Sequence, residues 1–210
     1  MSRALIAVTS AVTVAALVGA TYYVTSGPNQ TDKYAECRTA AVAGGSSQIG
    51  GPFTLIDEKG KTVTDKDVIN QPTLLYFGYT FCPDVCPLDN ARNAEAVEIL
   101  EDRGTIVQPV FISVDPDRDT PETLDDFTYN LHPRMLGLTG SPEQVKAASM
   151  AYRTFYQKQE PEEGDEDYYL IDHSTFTYLV FPEDGFIEFF RRDLPPEAMA
   201  DKVQCFMDAR

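Results

Sequence analysis

Two cysteines separated by three residues are the part of this sequence best suited to chemistry. Cys82 and Cys86 lie in the segment CPDVCP, residues 82–87, directly after a long apolar run. If a helix begins near Pro83, a spacing of four residues places both sulfurs on the same side of its first turn. The free N–H groups of a helix N-terminus stabilise thiolates, which are redox nucleophiles and soft ligands for copper(I) or zinc. A plain disulfide or two buried thiols is the alternative, although dithiol oxidoreductases usually have only two residues between their cysteines.

The segments around this pair predict an α/β domain. Two nearly continuous apolar runs, Thr73–Phe81 and Ile106–Val114, are typical of strands buried on both faces of a sheet. A helix is predicted after the first run, with apolar residues at threefold spacing from Leu88 to Leu100. The remaining predicted elements are the hairpins Phe53–Ile56 with Thr62–Val63 and Thr175–Phe181 with Phe186–Phe190, helices that open at Thr120-Pro121 and at Ser141-Pro142-Glu143-Gln144, and a last helix with Met199, Val203 and Phe206 on one stripe.

The order of these elements predicts a thioredoxin-like fold with an N-terminal β-hairpin extension. It reads β-hairpin, β, α, β, α, α, β-hairpin, α, so parallel strands joined by helices are followed by an antiparallel hairpin and a closing helix. A flavodoxin-like sheet is the competing topology, but it would normally end with alternating strand and helix.

Two aspartates are candidate site residues in the same region as the cysteines. In open α/β sheets, ligands bind at the carboxyl ends of the strands, where Cys82 lies and where Asp115 follows the second buried strand. Asp115 can orient a metal ligand or tune the charge of a site, or it can simply belong to the turn before the next helix. Asp84, between the cysteines, can be a fourth ligand, a group that orients a ligand, or part of the turn. The sequence leaves these alternatives open.

His173 is the third candidate ligand. It lies just before the predicted strand Thr175–Phe181, and in thioredoxin-type folds the loop before that strand faces the active dithiol and usually carries a cis-proline. Here a histidine occupies that place. Two thiolates and one imidazole suit both oxidation states of copper. A lone histidine is otherwise more often structural, and the second histidine, His132, ends a helix pattern and lacks such a location.

Three sequence blocks resemble the signature segments of the Sco/SenC family. They are YFGYTFCPDVCP at Tyr76–Pro87, VFISVDPDRDTPETL at Val110–Leu124 and DHSTFTYLVFPEDG at Asp172–Gly185, and they occur in the family's order. The resemblance covers about residues 50–208. Members of this family are membrane-anchored, thioredoxin-fold copper proteins that help to assemble the copper-A centre of cytochrome c oxidase.

The resemblance implies a copper site, a partner and roles for named residues. The family's copper ligands match Cys82, Cys86 and His173 of this chain, and two family aspartates match Asp84 and Asp115. The implied partners are the oxidase subunit that bears the copper-A centre and, as a separate source of metal, a copper donor protein.

The N-terminus predicts a membrane anchor. Ala4–Val24 contains no charged residue and is long enough for a helix to span ~30 Å of hydrocarbon. Residues 1–24 are therefore predicted to be a single transmembrane helix, residues 25–50 a linker and irregular lead-in, and residues 51–210 the domain, on the periplasmic side of the inner (cytoplasmic) membrane. A cleaved signal peptide, with Val18-Gly19-Ala20 as a loose cleavage site, is the alternative. In both cases the domain leaves the cytoplasm and its cysteines can be oxidised.

The composition limits the function and predicts one more feature. The chain has 210 residues, with 33 acidic and 17 basic side chains and a net charge of -16, so binding to nucleic acid is excluded. Two histidines are too few for a histidine-rich metal site.

Of the four cysteines, Cys37 and Cys205 lie outside any metal-like motif, and a structural disulfide between them is predicted. Two unrelated free thiols are the alternative.

Three functions use the same two sulfurs of Cys82 and Cys86. The favoured function is a copper metallochaperone for the copper-A centre. The alternatives are a thiol–disulfide reductase that reduces the cysteines of the copper-A subunit, and a redox sensor. A thiol peroxidase is disfavoured because peroxiredoxins have Thr or Ser three residues before the reactive cysteine, where this chain has Tyr79 and Pro83. The histidine and the three-residue spacer favour metal binding, because a simple reductase needs no imidazole.

Overall fold

The structure is a computed structural model that describes residues 13–19, 21, 32–38, 48–161, 164 and 168–210. The chain divides into an N-terminal unit, Met1–Glu36, and a larger unit, Cys37–Arg210. In the N-terminal unit, residues 13–19 and 21 are helical. Within the described part of the chain, no helix is both long and apolar enough to cross a membrane. The other residues of the predicted anchor, and much of the predicted linker, lie outside the described residues.

The described part of the larger unit contains nine strands. They are β1 (Thr54–Asp57), β2 (Thr62–Thr64), β3 (Thr73–Gly78), β4 (Gln108–Ser113), β5 (Leu136–Thr139), β6 (Tyr156–Lys158), β7 (Ile171–His173), β8 (Thr177–Phe181) and β9 (Gly185–Phe190). Seven of them form one sheet in the order β2-β1-β5-β4-β3-β8-β9, and β6 pairs with β7. Strands β3, β4 and β5 are parallel, whereas β8 is antiparallel to β3 and β9 is antiparallel to β8. This is the predicted thioredoxin-like arrangement.

In the residues of the larger unit that the structure describes, five helices accompany these strands. They are α1 (Asp65–Val68), α2 (Val85–Asp102), α3 (Pro121–Leu131), α4 (Pro142–Ala151) and α5 (Pro196–Asp208). The start of α3 is fixed by the Thr120 hydroxyl, which accepts a hydrogen bond from the Thr123 N–H at 3.2 Å. The start of α4 has the capping box that its sequence predicts, between Ser141 and Gln144. The long helix α2 packs against α5.

Large aromatic side chains fill the core beside the central strands. Tyr76 and Phe77 of β3, Phe111 of β4 and Tyr152 after α4 are fully buried. Because every residue of β3 is buried, this strand has the continuous apolar pattern that predicted it.

The sequence prediction misses three strands. Strand β5 has four residues and contains Gly137, so it gave no apolar run that could be distinguished from a loop. It lies between β4 and β1, and its antiparallel pairing with β1 joins the N-terminal hairpin to the main sheet. Strands β6 and β7 have three residues each, and the sequence pattern predicts neither of them as a strand.

The apolar residues at threefold spacing that predict α2 do not all lie on its buried face. Leu88 is 59% exposed and Ala91 is also exposed, whereas Ala94, Val97 and Leu100 are buried. A strict three-residue spacing moves about 60° around an α-helix at each step, so a long row of this kind cannot stay on one face. The outward position of Leu88 puts an apolar side chain in solvent two residues after Cys86.

The strand directions bring three connections to one edge of the sheet. The parallel strands β3 and β4 end there at Gly78 and Ser113, and the antiparallel strand β8 begins there at Thr177. The loop with Cys82, the turn with Asp115 and the segment with His173 therefore meet at the same edge.

Candidate metal centre

Three donor atoms converge at this edge of the sheet. One ligand atom each from Cys82, Cys86 and His173 lies within 4.8 Å of the others, and the Cys86 Sγ is 3.2 Å from the His173 Nε2. Cys86 is fully buried, whereas Cys82 is 9% exposed and lies nearer to solvent. The two cysteines are not joined to each other in a disulfide. The structure thus brings together all three residues that the sequence singled out as metal ligands.

The start of α2 positions the two sulfurs. Cys86 is in its first turn, and its N–H donates a hydrogen bond to the Cys82 Sγ at 3.4 Å. From the other side, the Tyr79 N–H donates to the Cys86 Sγ at 3.5 Å. Backbone N–H groups therefore face both sulfurs, and such donors favour the thiolate form that binds metals.

Backbone and aromatic contacts position the histidine. His173 is the last residue of β7 and pairs with Tyr156, so a short strand, rather than the predicted loop, holds it. Its Nδ1 is 3.0 Å from the Ser174 carbonyl oxygen. Because a carbonyl can only accept, Nδ1 donates its N–H to Ser174, and Nε2 is the ring nitrogen that faces the sulfurs. The edges of Tyr76 and Tyr79 pack against the imidazole, with ring centroids 6.1 Å and 5.8 Å away.

The two sulfurs change each other's pKa in opposite directions. The pKa of the Cys82 thiol is lowered, chiefly because the Cys86 thiol donates a hydrogen bond to it, with further help from His173 and the N–H groups of Cys86 and Asp84. The pKa of the Cys86 thiol is raised by its bond to Cys82 and by burial. The two sulfurs of the metal-free site therefore share one proton near neutral pH, and a metal ion that binds both of them must displace it.

The two candidate aspartates have different surroundings. Asp115 is buried, and its carboxylate accepts hydrogen bonds from the Tyr169 hydroxyl at 2.7 Å and the Arg118 Nε at 2.5 Å. The Arg118 guanidinium in turn lies 3.6 Å from the centre of the Tyr169 ring. Asp84 is exposed at the N-cap of α2, and its side chain makes no capping hydrogen bond. Neither carboxylate belongs to the donor group found among the described residues.

Sequence reasoning missed residues that shape the centre without providing ligands. A Cβ atom on Gly78 would lie 2.8 Å from the Cys86 Sγ and 2.9 Å from the Tyr76 ring, so only glycine fits there without displacing the sulfur. The Tyr76 hydroxyl donates to the buried Asp89 at 2.9 Å, and Asp119 holds the Cys82 loop. A glycine at the end of a buried strand was a usable signal for the first of these, but nothing in the sequence distinguished Asp119 from its acidic neighbours.

The other cysteines and the other histidine lie in different surroundings. Cys37 and Cys205 form a disulfide with Cα atoms 5.8 Å apart, which ties the N-terminal end of the larger unit to α5. The His132 Nδ1 accepts a hydrogen bond from the Arg134 N–H at 3.1 Å, and its Nε2 is 3.4 Å from Glu101. These contacts give His132 a structural role.

Comparison with known proteins identifies the family. A thioredoxin-like domain with a Cys–Cys–His donor group at its sheet edge defines a class of thiolate-rich metal-binding proteins. The chain belongs to the SCO1/SenC family, whose profile matches residues 41–208. Protein SenC of Rhodobacter capsulatus is 54% identical to it over 206 residues, which cover 98% of this chain and 90% of that protein. The predicted family is therefore confirmed.

Two solved structures support the same fold. Arabidopsis thaliana ScoI with copper bound is 43% identical, has a TM-score of 0.71, and is matched over 76% of this chain and 99% of its own. Yeast Sco1 with copper bound is 34% identical, has a TM-score of 0.72, and is matched over 78% of this chain and 90% of its own. The predicted mixed α/β, thioredoxin-like fold is confirmed.

Proposed function

We propose that this chain binds one copper ion through Cys82, Cys86 and His173 and delivers it to the cytochrome c oxidase subunit that carries the copper-A centre. The observation that carries the proposal is the convergence of two sulfurs and one imidazole nitrogen within 4.8 Å. Thiolates are soft ligands that select copper(I), and the added imidazole nitrogen suits copper(II). The similar proteins from Arabidopsis and yeast were solved with copper bound, which supports the choice of metal.

The unequal exposure of the sulfurs fits a site that releases its metal. Cys86 is at the inner end of the site, beneath Gly78 and Tyr79, whereas Cys82 is on a loop nearer to solvent. An incoming thiolate from a partner would meet the copper ion on the Cys82 side. Transfer then proceeds by exchange of one sulfur ligand for another, with no change in the oxidation state of copper.

The proposed location follows from the N-terminal segment. The uncharged stretch Ala4–Val24 supports an anchor at residues 1–24 in the inner (cytoplasmic) membrane, a linker at residues 25–50, and the domain of residues 51–210 on the periplasmic side. There the domain would meet both the oxidase subunit and a copper donor protein. Alkaline extraction of membranes that contain the full chain tests the anchor, because an anchored chain stays in the pellet and a cleaved one is released.

A thiol–disulfide reductase for the copper-A subunit is the second candidate function, with a redox sensor as its variant. The observation that favours it is the hydrogen bonding around Cys82: the Cys86 N–H donates to its sulfur at 3.4 Å, and the neighbouring Cys86 thiol lowers the pKa of Cys82. In thiol–disulfide exchange, a thiolate attacks the partner's disulfide and a second thiol then releases the product. Such an exchange requires no nitrogen ligand beside the two sulfurs, which is why copper delivery is the preferred function.

One experiment separates the two functions. The full chain in detergent is loaded anaerobically with copper(I) and mixed with the metal-free, fully reduced copper-A domain, and metal analysis follows separation of the two. In parallel, the metal-free, reduced chain is mixed with the oxidised copper-A domain, whose free thiols are then counted. Movement of copper to the acceptor supports delivery. Release of acceptor thiols without movement of copper would put the reductase first.

Replacing His173 with alanine tests the third ligand. Both sulfurs remain, so copper(I) should still bind, with some loss of affinity. Copper(II) should bind much more weakly, and its sulfur-to-metal charge-transfer bands should fade or shift, because the nitrogen ligand is gone. Anaerobic titrations of both oxidation states with visible and electron-spin spectra measure this. An unchanged copper(II) spectrum and affinity would show that His173 is not a ligand.

A further inference from the structure

A buried carboxylate lies on the β4 side of the Cys82 loop. Asp119 is only 1% exposed and follows the turn after β4. It accepts hydrogen bonds from the Thr80 N–H at 3.0 Å and the Thr80 hydroxyl at 2.5 Å. The Ser113 hydroxyl donates to the same carboxylate at 2.5 Å. Three donors thus satisfy a carboxylate that would be costly to bury alone.

These bonds extend the attachment of the loop beyond the end of the sheet. Strand β3 ends at Gly78, whose carbonyl accepts from the Val114 N–H at 2.8 Å. Asp119 then holds Thr80, which is only two residues before Cys82. The Cys82 N–H has a weaker anchor, a 3.4 Å hydrogen bond to the Tyr79 carbonyl. The two hydrogen bonds from Thr80 to Asp119 are therefore the stronger local restraint on the segment that leads to Cys82.

We propose that Asp119 is a positioning residue for the metal centre: through Thr80, it holds the Cys82 loop so that the Cys82 sulfur stays beside Cys86 and His173 as a metal ligand. The identity of the metal rests on the proposed function, but the placement of the sulfur does not. A metal site needs its ligands held within ~0.5 Å of the productive geometry. Removal of groups that orient ligands typically costs about 10–100-fold in metal affinity.

Two variants of the full chain in detergent test this role, and a third is the matched control. Thr80→Val removes one hydroxyl and keeps the branched shape, and Asp119→Asn removes the charge and keeps the size. The control is Thr128→Val in α3, because Thr128 also donates a hydroxyl hydrogen bond to a carboxylate, that of Glu58, but α3 carries no proposed ligand. Urea unfolding of the metal-free proteins measures how far each variant is destabilised.

The first readout is copper(I) affinity, measured anaerobically by competition with a coloured chelator. Thr80→Val should bind copper(I) about tenfold more weakly, and Asp119→Asn about 10–100-fold more weakly. Thr128→Val should bind it as the wild type does, even if it is equally destabilised. Affinities within twofold of wild type for Thr80→Val and Asp119→Asn would overturn the proposal and leave these residues a purely structural role.

The second readout needs no metal. The reduced chain is equilibrated with oxidised dithiothreitol, which takes two electrons and two protons from the two thiols as the Cys82–Cys86 disulfide forms. If Asp119 holds Cys82 at a ligand position, release of the loop should raise the equilibrium constant for the disulfide about tenfold in Thr80→Val, and leave it unchanged in Thr128→Val. Equal constants in wild type and Thr80→Val would contradict the proposal. Failure of the wild type to bind copper would instead count against the proposed function, and this readout would still decide the role of Asp119.

Discussion

The four cysteines of this chain form two pairs that differ in their separation along the sequence and in whether they are bonded. Cys37 and Cys205 are 168 residues apart in sequence and are bonded to each other. Cys82 and Cys86 are four residues apart and are free. The bonded pair ties the start of the larger unit to its last helix, whereas the free pair lies at the sheet edge beside a histidine.

The surroundings of the sulfurs explain the difference. In the free pair, the Cys86 Sγ is approached by the Tyr79 N–H and the His173 Nε2, and the Cys82 Sγ accepts from the Cys86 N–H. Polar groups thus face both sulfurs, and the backbone N–H groups among them favour the thiolate form that binds a metal. The comparison shows that spacing alone does not determine the fate of a cysteine pair, since the neighbouring donors make the closely spaced pair a ligand set.

The largest expected effect is the loss of copper on replacing one free cysteine. Cys86→Ser exchanges a soft thiolate for a hydroxyl, so the chain should retain no copper after gel filtration, as judged by metal analysis. The matched control is the double variant Cys37→Ser/Cys205→Ser, which should retain copper in the wild-type amount. Equal copper contents in the Cys86→Ser and wild-type proteins would remove the distinction between the two pairs.

The next effect is on stability and should show the reverse pattern. In the chain-entropy account, a cross-link that closes a loop of this length stabilises the fold by about 5 kcal/mol, often less in practice. Cys37→Ser/Cys205→Ser should therefore lower the free energy of unfolding by several kcal/mol, measured by urea denaturation of copper-free protein. Cys82→Ser/Cys86→Ser should unfold close to wild type, since no covalent bond is lost. A stable Cys37→Ser/Cys205→Ser variant would show that the bond contributes little.

Long, strongly patterned segments were predictable from sequence, and short ones were not. Strands β3 and β4 form continuous apolar runs, and the capping signals at Thr120 and Ser141 mark the starts of α3 and α4. Strands β5, β6 and β7 are defined by tertiary pairing rather than local pattern, so the sequence could not locate them.

The same division holds within the site. Residue type and position relative to the strands were enough to select Cys82, Cys86 and His173. The role of Gly78 depends on a close approach between β3 and α2, and that of Asp119 on a contact between two separate loops. Contacts of this kind leave no local signal in a single sequence.

A smaller effect is expected from Gly78→Ala. The added Cβ would meet the Cys86 Sγ at 2.8 Å, the Tyr76 ring at 2.9 Å and the Phe111 ring at 3.1 Å, all of them in the core. Overpacking of this kind typically costs about 1–3 kcal/mol, so the unfolding midpoint in urea should fall. Copper affinity should fall as well, because the methyl group pushes Cys86 away from His173.

The control variant is Gly104→Ala. No atom lies within 4 Å of a Cβ at this position, although its positive φ adds some backbone strain, and the copper affinity of the variant should be unchanged. Loss of stability without loss of copper affinity would mean that Cys86 adapts.

The smallest effect concerns the pH dependence of alkylation, which separates the two sulfurs of the free pair. Only the thiolate reacts with iodoacetamide, and for an ordinary cysteine of pKa ~8.5 the rate falls about tenfold per pH unit below that value. Because the pKa of Cys82 is lowered, its rate in copper-free protein should stay nearly constant from pH 8 to pH 6. Because the pKa of Cys86 is raised, Cys86 should remain unlabelled over the same range.

Mass spectrometry of peptides measures the alkylation rates of Cys82 and Cys86, and the disulfide-bonded Cys37 and Cys205 serve as unreactive internal references. Cys86→Ala removes the main hydrogen bond that lowers the pKa of Cys82, because alanine has no side-chain donor, and His173→Ala removes a smaller contribution. Both variants should therefore restore a fall in rate at acid pH, and the fall should be steeper in Cys86→Ala. If Cys82 instead lost reactivity tenfold per pH unit in the wild type, the two sulfurs would share no proton, and the asymmetry derived from their hydrogen bonds would be wrong.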